Sequence, residues 1–279
     1  MLSMTKDSIW MTMPDPTSDE EPLPLAEWLA VAVQAAQAPA PLLVDYFTRG
    51  RLAKENKRDG SPVTEADREA ERIIRDRLAR LSPKPYDILG EEHGLSGEGT
   101  RYRWVVDPID GTRSFVRGIP LFGTIVALED TVTHRSLVGV IYLPMLQATY
   151  AGARGLGSTC NGKPITVASG STWQEAIVAI GDPLQFSAAN CRAASQYLWD
   201  HCQCLRGYTD CFGHALVACG SVDVMMDPSL NPWDVLATQV LVEEAGGCVL
   251  LRPSAIPGRI DALFGNPALV HELASSLGF

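Results

Sequence analysis

The stretch Trp104-Val105-Val106-Asp107-Pro108-Ile109-Asp110-Gly111-Thr112 limits how this chain can fold more tightly than any other segment. Its first three residues are apolar and predict a buried strand that delivers Asp107 at its end. Pro108 has no N–H to donate, so we expect the strand ladder to stop there. The last three residues predict a turn into a helical start, with two N–H groups pointing outward together. Two carboxylates beside such N–H groups suit divalent metal ions and a phosphoryl group.

The same string has a purely structural interpretation, in which an aspartate caps the backbone of a hairpin-type turn. That interpretation would be preferred for an isolated Asp-Gly-Thr. The whole string favours a functional role, because an apolar strand delivers the first acid directly to the turn.

Other acids occupy similar positions. Glu91 follows a candidate strand within Gly90-Glu91-Glu92, a segment that on its own is more typical of a solvated loop. Asp234 falls in the first turn of a helix that Asn231 caps, and Asp67 in the first turn of a helix that begins near Thr64. The helix dipole alone favours such first-turn acids by roughly 0.3–1 kcal/mol. Asp227 comes just after another candidate strand.

These acids form one site only if the fold brings them together. Two like charges about 4 Å apart near a protein surface repel each other by roughly 4 kcal/mol. Several carboxylates in one pocket therefore require cations or protons. A set of oxygen donors without Cys or His favours magnesium or manganese over zinc.

Composition excludes several classes of protein. The chain has 279 residues, 46% hydrophobic and 20% charged, as in ordinary globular proteins, and its formal net charge is −10. The acidic balance and the lack of a basic run predict no nucleic-acid partner and no anionic-membrane partner. Seven cysteines, an odd number without a C-x-x-C pair, predict reduced thiols and a cytoplasmic location. We find no apolar stretch of signal-peptide or membrane-span length.

Hydrophobic periodicity divides the chain into three parts. The Pro-rich and acidic residues 1–24 predict a disordered tail. Residues 25–170 predict an N-terminal α+β lobe with the metal-binding acids: a helix from Leu25 broken by Pro39 and Pro41, a helix over 65–81, and an antiparallel meander over 121–128, 137–142 and 147–151. Residues 171–279 predict a C-terminal α/β lobe that completes the active site, with helices over 187–199, 212–219, 232–245 and 267–277, and strands over 176–180, 203–205, 222–226, 248–250 and 262–264.

The segments Gly90-Glu91-Glu92, Asp107-Pro108-Ile109-Asp110-Gly111-Thr112 and Trp233-Asp234 together resemble the inositol monophosphatase family of metal-dependent phosphatases. The resemblance covers residue 25 to the end of the chain. Within the family, the chain is most similar to the histidinol-phosphatase branch, on the strings 111–124, 210–214 and 223–227. One departure is visible: residues 248–258 lack the family's T-D-x-x-G sequence and have Leu250-Leu251-Arg252-Pro253-Ser254 instead, which puts family-based details of that segment in doubt.

The resemblance implies an α+β fold, a layered αβαβα sandwich, usually dimeric, so we expect a homodimer. It implies two or three Mg²⁺ ions per site, with Mn²⁺ as a possible replacement, and a role for each matching residue. By this resemblance, the first metal is bound by Glu91, Asp107 and the Ile109 carbonyl, and the second by Asp107, Asp110 and Asp234. A third, more weakly held metal is expected near Asp67. The resemblance also implies that Thr112 orients the attacking water, that Gly111 and Thr112 bind phosphate, and that Asp227 contacts the organic part of the substrate.

We therefore expect direct hydrolysis of a small phosphate monoester by water that Thr112 and Glu91 hold in line, without a covalent phosphoenzyme. L-Histidinol phosphate is the first choice, because its ammonium and imidazole suit the acids Asp227 and, more weakly, Asp210. Inositol-1-monophosphatase or a broader sugar and polyol phosphatase activity is the alternative. A bisphosphate substrate is less attractive, because a second phosphate would need basic residues that the sequence does not reveal.

Two further classes stay open. Phosphatases with an aspartyl nucleophile, of the haloacid dehalogenase type, carry D-x-D-G-T after an apolar strand. Here two residues separate Asp107 from Asp110, which takes Asp107 out of the nucleophile's register. A relative that binds metal or a partner without turnover is the other class, and the presence of every acid in the family pattern argues against it.

Overall fold

The computed structural model describes residues 23–50, 54–56, 62–83 and 85–279. Of the predicted tail, residues 1–24, all but Leu23 and Pro24 lie outside the described residues. No helix within the described ranges combines the length and the apolar character needed to cross a bilayer.

Three helices and one strand pair open the described chain. Helices α1 (Leu25–Gln37) and α2 (Ala40–Arg49) are separated at Ala38 and Pro39, which confirms the predicted interruption. Strands β1 (Lys54–Asn56) and β2 (Pro62–Thr64) pair antiparallel and lead into α3 (Glu65–Leu81), which has the predicted bounds.

The first large sheet has eight strands within the described residues, in the order β10-β9-β8-β7-β6-β5-β3-β4. The β3–β5 pair is parallel and the other neighbours are antiparallel, so the predicted meander is confirmed as β6–β8. Helix α4 (Thr112–Val116) lies between β5 and β6. The strands are β3 (Asp87–Gly90), β4 (Gly94–Ser96), β5 (Tyr102–Asp110), β6 (Gly123–Asp130), β7 (Arg135–Leu143), β8 (Ala148–Ala153), β9 (Gly157–Cys160) and β10 (Lys163–Pro164).

The second sheet has the order β12-β11-β13-β15-β14. Strand β11 is parallel to both β12 and β13, and β15 is antiparallel to both β13 and β14. The predicted boundary near residue 170 falls between β10 and β11, and a division into lobes there stays a prediction. The elements are β11 (Ile177–Ile180), α5 (Pro183–Ala188), α6 (Arg192–His201), β12 (Cys204–Arg206), α7 (Asp210–Ala218), β13 (Val224–Leu230), α8 (Pro232–Glu244), β14 (Cys248–Pro253), β15 (Ile260–Gly265) and α9 (Pro267–Leu277).

Proline does not end a strand at Asp107-Pro108 or at Asp227-Pro228. The expectation that the ladder stops at Pro108 was wrong: β5 shifts register between Asp107 and Asp110 and then pairs again. Strand β13 was predicted to end at residue 226, yet it shifts register between Asp227 and Leu230 and continues. In both strands a bulge accommodates the missing N–H, because a bulged residue leaves the ladder unpaired.

The helix predicted over 187–199 was also wrong, because α5 and α6 are separate helices. Asn190, with a φ of +58°, adopts the left-handed conformation between them. Asparagine tolerates that conformation and commonly ends a helix there. A capping box of Asp182 and Gln185 starts α5 earlier than the hydrophobic pattern indicated.

Alternating residues on the strands explain the layered αβαβα sandwich, which has the predicted α+β fold. On the first sheet, Trp104, Val106 and Val126 pack with α1 and α3, while Val105, Ile125 and Ala127 pack with α7 and α8. On the second sheet, Met225 and Phe264 face α7 and α8. Val224 and Leu263 face the other way, toward α5, α6 and α9. Both sheets are therefore buried on both faces, with α7 and α8 between them.

The contact of α8 with β7 leaves no room for a side chain at Gly139. A Cβ on Gly139 would overlap the backbone of Ala237 on α8. We expect Gly139→Ala to lower the free energy of unfolding by about 1–3 kcal/mol, because overpacking forces backbone shifts. Urea denaturation measures this, with Gly207→Ala as the matched control, since no atom lies within 4 Å of a Cβ at Gly207. Equal stability of the two variants would contradict the close packing of α8.

Candidate metal centre

Three of the predicted acids converge. Asp107 and Asp110 come from the bulged end of β5, and Asp234 comes from the first turn of α8. Each offers a carboxylate oxygen, and these oxygens all lie within 4.8 Å of one another. We call these three residues the acidic cluster.

One backbone N–H group holds each carboxylate of the acidic cluster. The N–H of Ile109 donates to Asp107 Oδ1 at 3.0 Å, and the N–H of Cys211 donates to Asp110 Oδ2. Asp234 Oδ2 accepts the N–H of Asn231 at 2.7 Å, within the capping box that starts α8. Within the described residues, no backbone N–H donates to the other oxygen of each carboxylate. The three carboxylates are therefore held in place while still able to bind another group.

Burial makes three ionised carboxylates costly at this position. Burial, and after it the charge of Glu91, raises the pKa of Asp107 well above its usual range. Burial and the charge of Asp210 do the same to the pKa of Asp110. The pKa of Asp234 rises to about 7, again through burial and then through Glu91. A bound cation would remove this cost by supplying the missing positive charge.

The donor set fits a hard divalent cation. The acidic cluster offers only carboxylate oxygens, which Mg²⁺ and Mn²⁺ prefer as ligands. The side chain of Glu91 lies within hydrogen-bonding reach of Asp107 and could complete the set from the β3 side. Metal binding by these residues stays a prediction. Its first requirement, that the fold brings the acids together, is met by the geometry of the acidic cluster.

A second group of predicted residues lies around the Thr112 hydroxyl. Thr112 Oγ1 lies 2.9 Å from the Ile109 carbonyl oxygen and 3.2 Å from Asp67 Oδ1. Asp67 is fully buried, and its Oδ2 accepts the N–H and the hydroxyl of Thr64 at 2.7 and 2.6 Å. Asp67 therefore has a structural role and a position at the site: its Oδ2 closes the capping box on α3, and its Oδ1 faces the Thr112 hydroxyl.

Gly111 makes the turn from β5 into α4 possible. Its φ is +85°, a left-handed conformation that only glycine adopts without strain. A Cβ there would lie 2.9 Å from the Leu121 carbonyl oxygen and 3.4 Å from Asp210 Oδ2. The predicted phosphate-binding backbone of Gly111 and Thr112 therefore adjoins the carboxylate of Asp210.

Glu71 supports the site, although the sequence reasoning passed over it. It is fully buried on α3. Its carboxylate accepts the N–H of Glu92 at 2.6 Å and pairs with Arg75 at 2.7 Å. Glu71 thereby fixes the turn that carries Glu91. Its position four residues after Asp67, on the same helix face, was the available signal.

The two predicted substrate acids differ in exposure. Asp227 is 2% exposed, and its Oδ2 lies 3.1 Å from Nε2 of the buried His214, which was predicted to be structural rather than a ligand. Burial raises the pKa of Asp227, and the hydrogen bond with His214 opposes that rise. Asp210 is half-buried, and its charge acts on Asp110. Asp227 thus lies behind the site and Asp210 at its edge.

The layered fold and an acidic cluster at a strand-to-helix turn are the features expected of one family of phosphatases. The family model described as "Inositol monophosphatase family" matches residues 24–259. The chain belongs to the inositol monophosphatase family, and the layered αβαβα fold implied by the sequence resemblance is confirmed.

Similar proteins include the histidinol-phosphatase of Chlorobaculum parvum, 37% identical over 90% of this chain and 96% of the relative. A protein of Aquifex aeolicus named fructose-1,6-bisphosphatase/inositol-1-monophosphatase is 33% identical over 88% of this chain and 93% of its own. The crystal structure of the extragenic suppressor protein SuhB of Bartonella henselae has a TM-score of 0.80 and 30% identity, covering 90% of this chain and 98% of that one. The resemblance to the histidinol-phosphatase branch is confirmed.

Metal binding should stabilise the protein. At a Mg²⁺ concentration of about 100 times Kd, we expect about 2.7 kcal/mol of stabilisation, or a rise of roughly 5–10 °C in the thermal midpoint. Asp234→Asn should abolish most of the shift. Asp76→Asn, which removes an exposed charge on α3, should retain it. Scanning fluorimetry with Mg²⁺, Mn²⁺ and EDTA measures the shift, and an equal shift in Asp234→Asn would show that the metal binds elsewhere.

Proposed function

We propose that this protein is a magnesium-dependent hydrolase of phosphate monoesters that acts by direct attack of water. The observation that carries the proposal is the acidic cluster, one buried and two half-buried carboxylates with oxygens within 4.8 Å of one another, next to Thr112 and the Gly111 turn. Family membership supports the reaction class.

The acidic cluster, Glu91 and the Ile109 carbonyl would hold two Mg²⁺ ions, and Asp67 would adjoin a third. Bound Mg²⁺ supplies positive charge for the phosphoryl oxygens and the leaving oxygen, and makes water acidic enough to react near neutral pH. Mn²⁺ has the same preference for oxygen ligands and could replace it.

The protein's own groups orient the reactants. The Thr112 hydroxyl donates its proton to the Ile109 carbonyl or to Asp67, which leaves its oxygen lone pairs to accept a hydrogen bond from the attacking water. Glu91 would accept a hydrogen bond from the other O–H of that water and hold the water in line. The N–H groups of Gly111 and Thr112 would bind phosphate oxygens. Asp107 is held by the Ile109 N–H within the acidic cluster, an arrangement suited to a ligand and not to a nucleophile.

We propose L-histidinol phosphate as the substrate. Asp210 lies beside the phosphate-binding turn, and the charges of Asp227 and Asp182 act on it, which favours a substrate with a positively charged organic part. The similarity to the Chlorobaculum parvum histidinol-phosphatase supports this choice.

myo-Inositol 1-phosphate is the second candidate, supported by the similarity to the Aquifex aeolicus protein. Its organic part carries no positive charge to offset the three acids, which is why it ranks lower. A homodimer stays a prediction.

The substrate proposal predicts a clear preference. With saturating Mg²⁺, phosphate release from L-histidinol phosphate should have a kcat/KM at least about tenfold above that for myo-inositol 1-phosphate, the worth of one charge-assisted hydrogen bond. A malachite-green assay of released phosphate measures both, with Asp107→Asn as the blank. A preference for the inositol ester would keep the reaction class and reject the substrate.

The metal assignment predicts loss of activity without loss of fold. Asp110→Asn should lower kcat by at least about 100-fold, because charge stabilisation of the phosphoryl group is lost. Its thermal midpoint in EDTA should equal or exceed that of the wild type, since one of three mutually repelling carboxylates is removed. Phosphate release and circular dichroism melting measure the two effects, with Asp76→Asn as the control. Near wild-type turnover in Asp110→Asn would reject the mechanism.

A further inference from the structure

Asp227, the residue that the family pattern assigns to the organic part of the substrate, is sealed from the site. Its Oδ2 lies 3.1 Å from His214 Nε2. Its Oδ1 is buried without a hydrogen-bond partner among the described residues and lies against Gly181. The Gly181 N–H donates to the Met226 carbonyl oxygen at 3.1 Å, so Oδ1 faces hydrogen-bonded backbone and is closed to a ligand in this structure.

His214 keeps Asp227 in this buried position. The ring is 1% exposed, and both of its nitrogens are engaged, Nε2 with Asp227 and Nδ1 with the Thr238 hydroxyl at 2.7 Å. The Asp227 carboxylate can accept from a ring N–H at Nε2, and the Thr238 hydroxyl can either donate to Nδ1 or accept from it. Phe264 packs edge-on against the imidazole, with 4.9 Å between the two ring centroids. The pair therefore links α7 to β13 and α8 as a structural unit.

Asp210 has the properties that Asp227 lacks. Its side chain is half-buried, its Oδ2 accepts the Thr209 hydroxyl at 2.8 Å, and its Oδ1 has no partner among the described residues. It adopts a left-handed φ of +58°, uncommon for a residue with a side chain. This conformation directs the next N–H, that of Cys211, at Asp110. The Asp210 carboxylate consequently lies between the acidic cluster and the Gly111 turn.

We propose that Asp210, and not Asp227, is the residue that selects the substrate, by pairing with a positively charged nitrogen on the organic part of the phosphate ester. A carboxylate this close to the phosphate-binding turn weakens the binding of a phosphate even with Mg²⁺ at the acidic cluster, because it adds a further negative charge. An ester carrying an ammonium group has a positive charge to pair with Asp210, whereas a neutral polyol phosphate has none. Asp210 thus favours one class of ester and disfavours the other. This inference rests on the proposed phosphatase function.

Three variants distinguish the role of Asp210 from that of Asp227. Asp210→Asn removes the charge and keeps a residue that tolerates a positive φ, and Asp210→Gly keeps the backbone conformation without any side chain. Asp227→Asn is the matched variant of the buried acid. Steady-state kinetics with Mg²⁺ would compare L-histidinol phosphate with β-glycerophosphate, whose organic part is uncharged, and a thermal melt of each variant would report folding.

Both Asp210 variants should raise KM for L-histidinol phosphate by at least about tenfold, with a smaller change in kcat, because a charge-assisted hydrogen bond is lost. Their kcat/KM for β-glycerophosphate should rise, because the repulsive charge is gone. Asp227→Asn should lower the thermal midpoint and change kcat/KM for both esters by the same factor.

Two results would overturn the inference while leaving the phosphatase proposal intact. One is a selective rise in KM for L-histidinol phosphate in Asp227→Asn and not in the Asp210 variants. The other is an equal loss on both esters in Asp210→Asn and Asp210→Gly, which would reduce Asp210 to holding the Cys211 N–H. A wild-type enzyme without any preference for L-histidinol phosphate would reject both the inference and the proposed substrate, and that outcome is visible before any variant is measured.

Discussion

The repulsion among three closely spaced carboxylates, one buried and two half-buried, is the constraint on which the rest of the structure depends. Asp107, Asp110 and Asp234 come from two elements far apart in the sequence, and their carboxylates would separate if nothing held them together. A single backbone N–H donated to each carboxylate opposes that movement. Because those donors belong to a strand bulge, a helix start and a capping box, the acidic cluster exists only when the local backbone at all three places is correct.

The layered packing supplies that backbone geometry. Helices α7 and α8 lie between the two sheets and contact both, so the Cys211 N–H at the start of α7 and Asp234 at the start of α8 are placed by the same buried layer. Asp107-Pro108 and Asp227-Pro228 each lie at a bulge, one in each sheet. The first bulge places Asp107 beside the other two members of the acidic cluster, and the second places Asp227 beside His214. Glu71 completes the arrangement by fixing the turn that carries Glu91. The site is therefore a product of the packing of both sheets and not of one loop.

Sequence patterns predicted the elements best where local signals agreed. Helices α3 and α9 have the predicted bounds, because an N-cap and a hydrophobic period mark each of them. The pattern failed where a single residue changed the backbone. Asn190 splits a predicted helix, and Pro108 and Pro228 produce bulges instead of strand ends. The buried Glu71 on α3 was missed, because hydrophobic periodicity assigns no buried place to a glutamate that accepts backbone hydrogen bonds.

By itself the sequence determined the family, through the resemblance carried by the order and spacing of its motifs, and that resemblance implied the layered α+β fold and the acids that are candidates for a metal site. Only the tertiary structure decided that Asp107, Asp110 and Asp234 meet, and that Asp67 and Asp234 both cap a helix and face the site. It also decided that Asp227 is buried against His214 while Asp210 stays at the edge of the site. The reason is physical: convergence and burial depend on how distant elements pack, and local sequence carries no record of the neighbours that a side chain meets after folding.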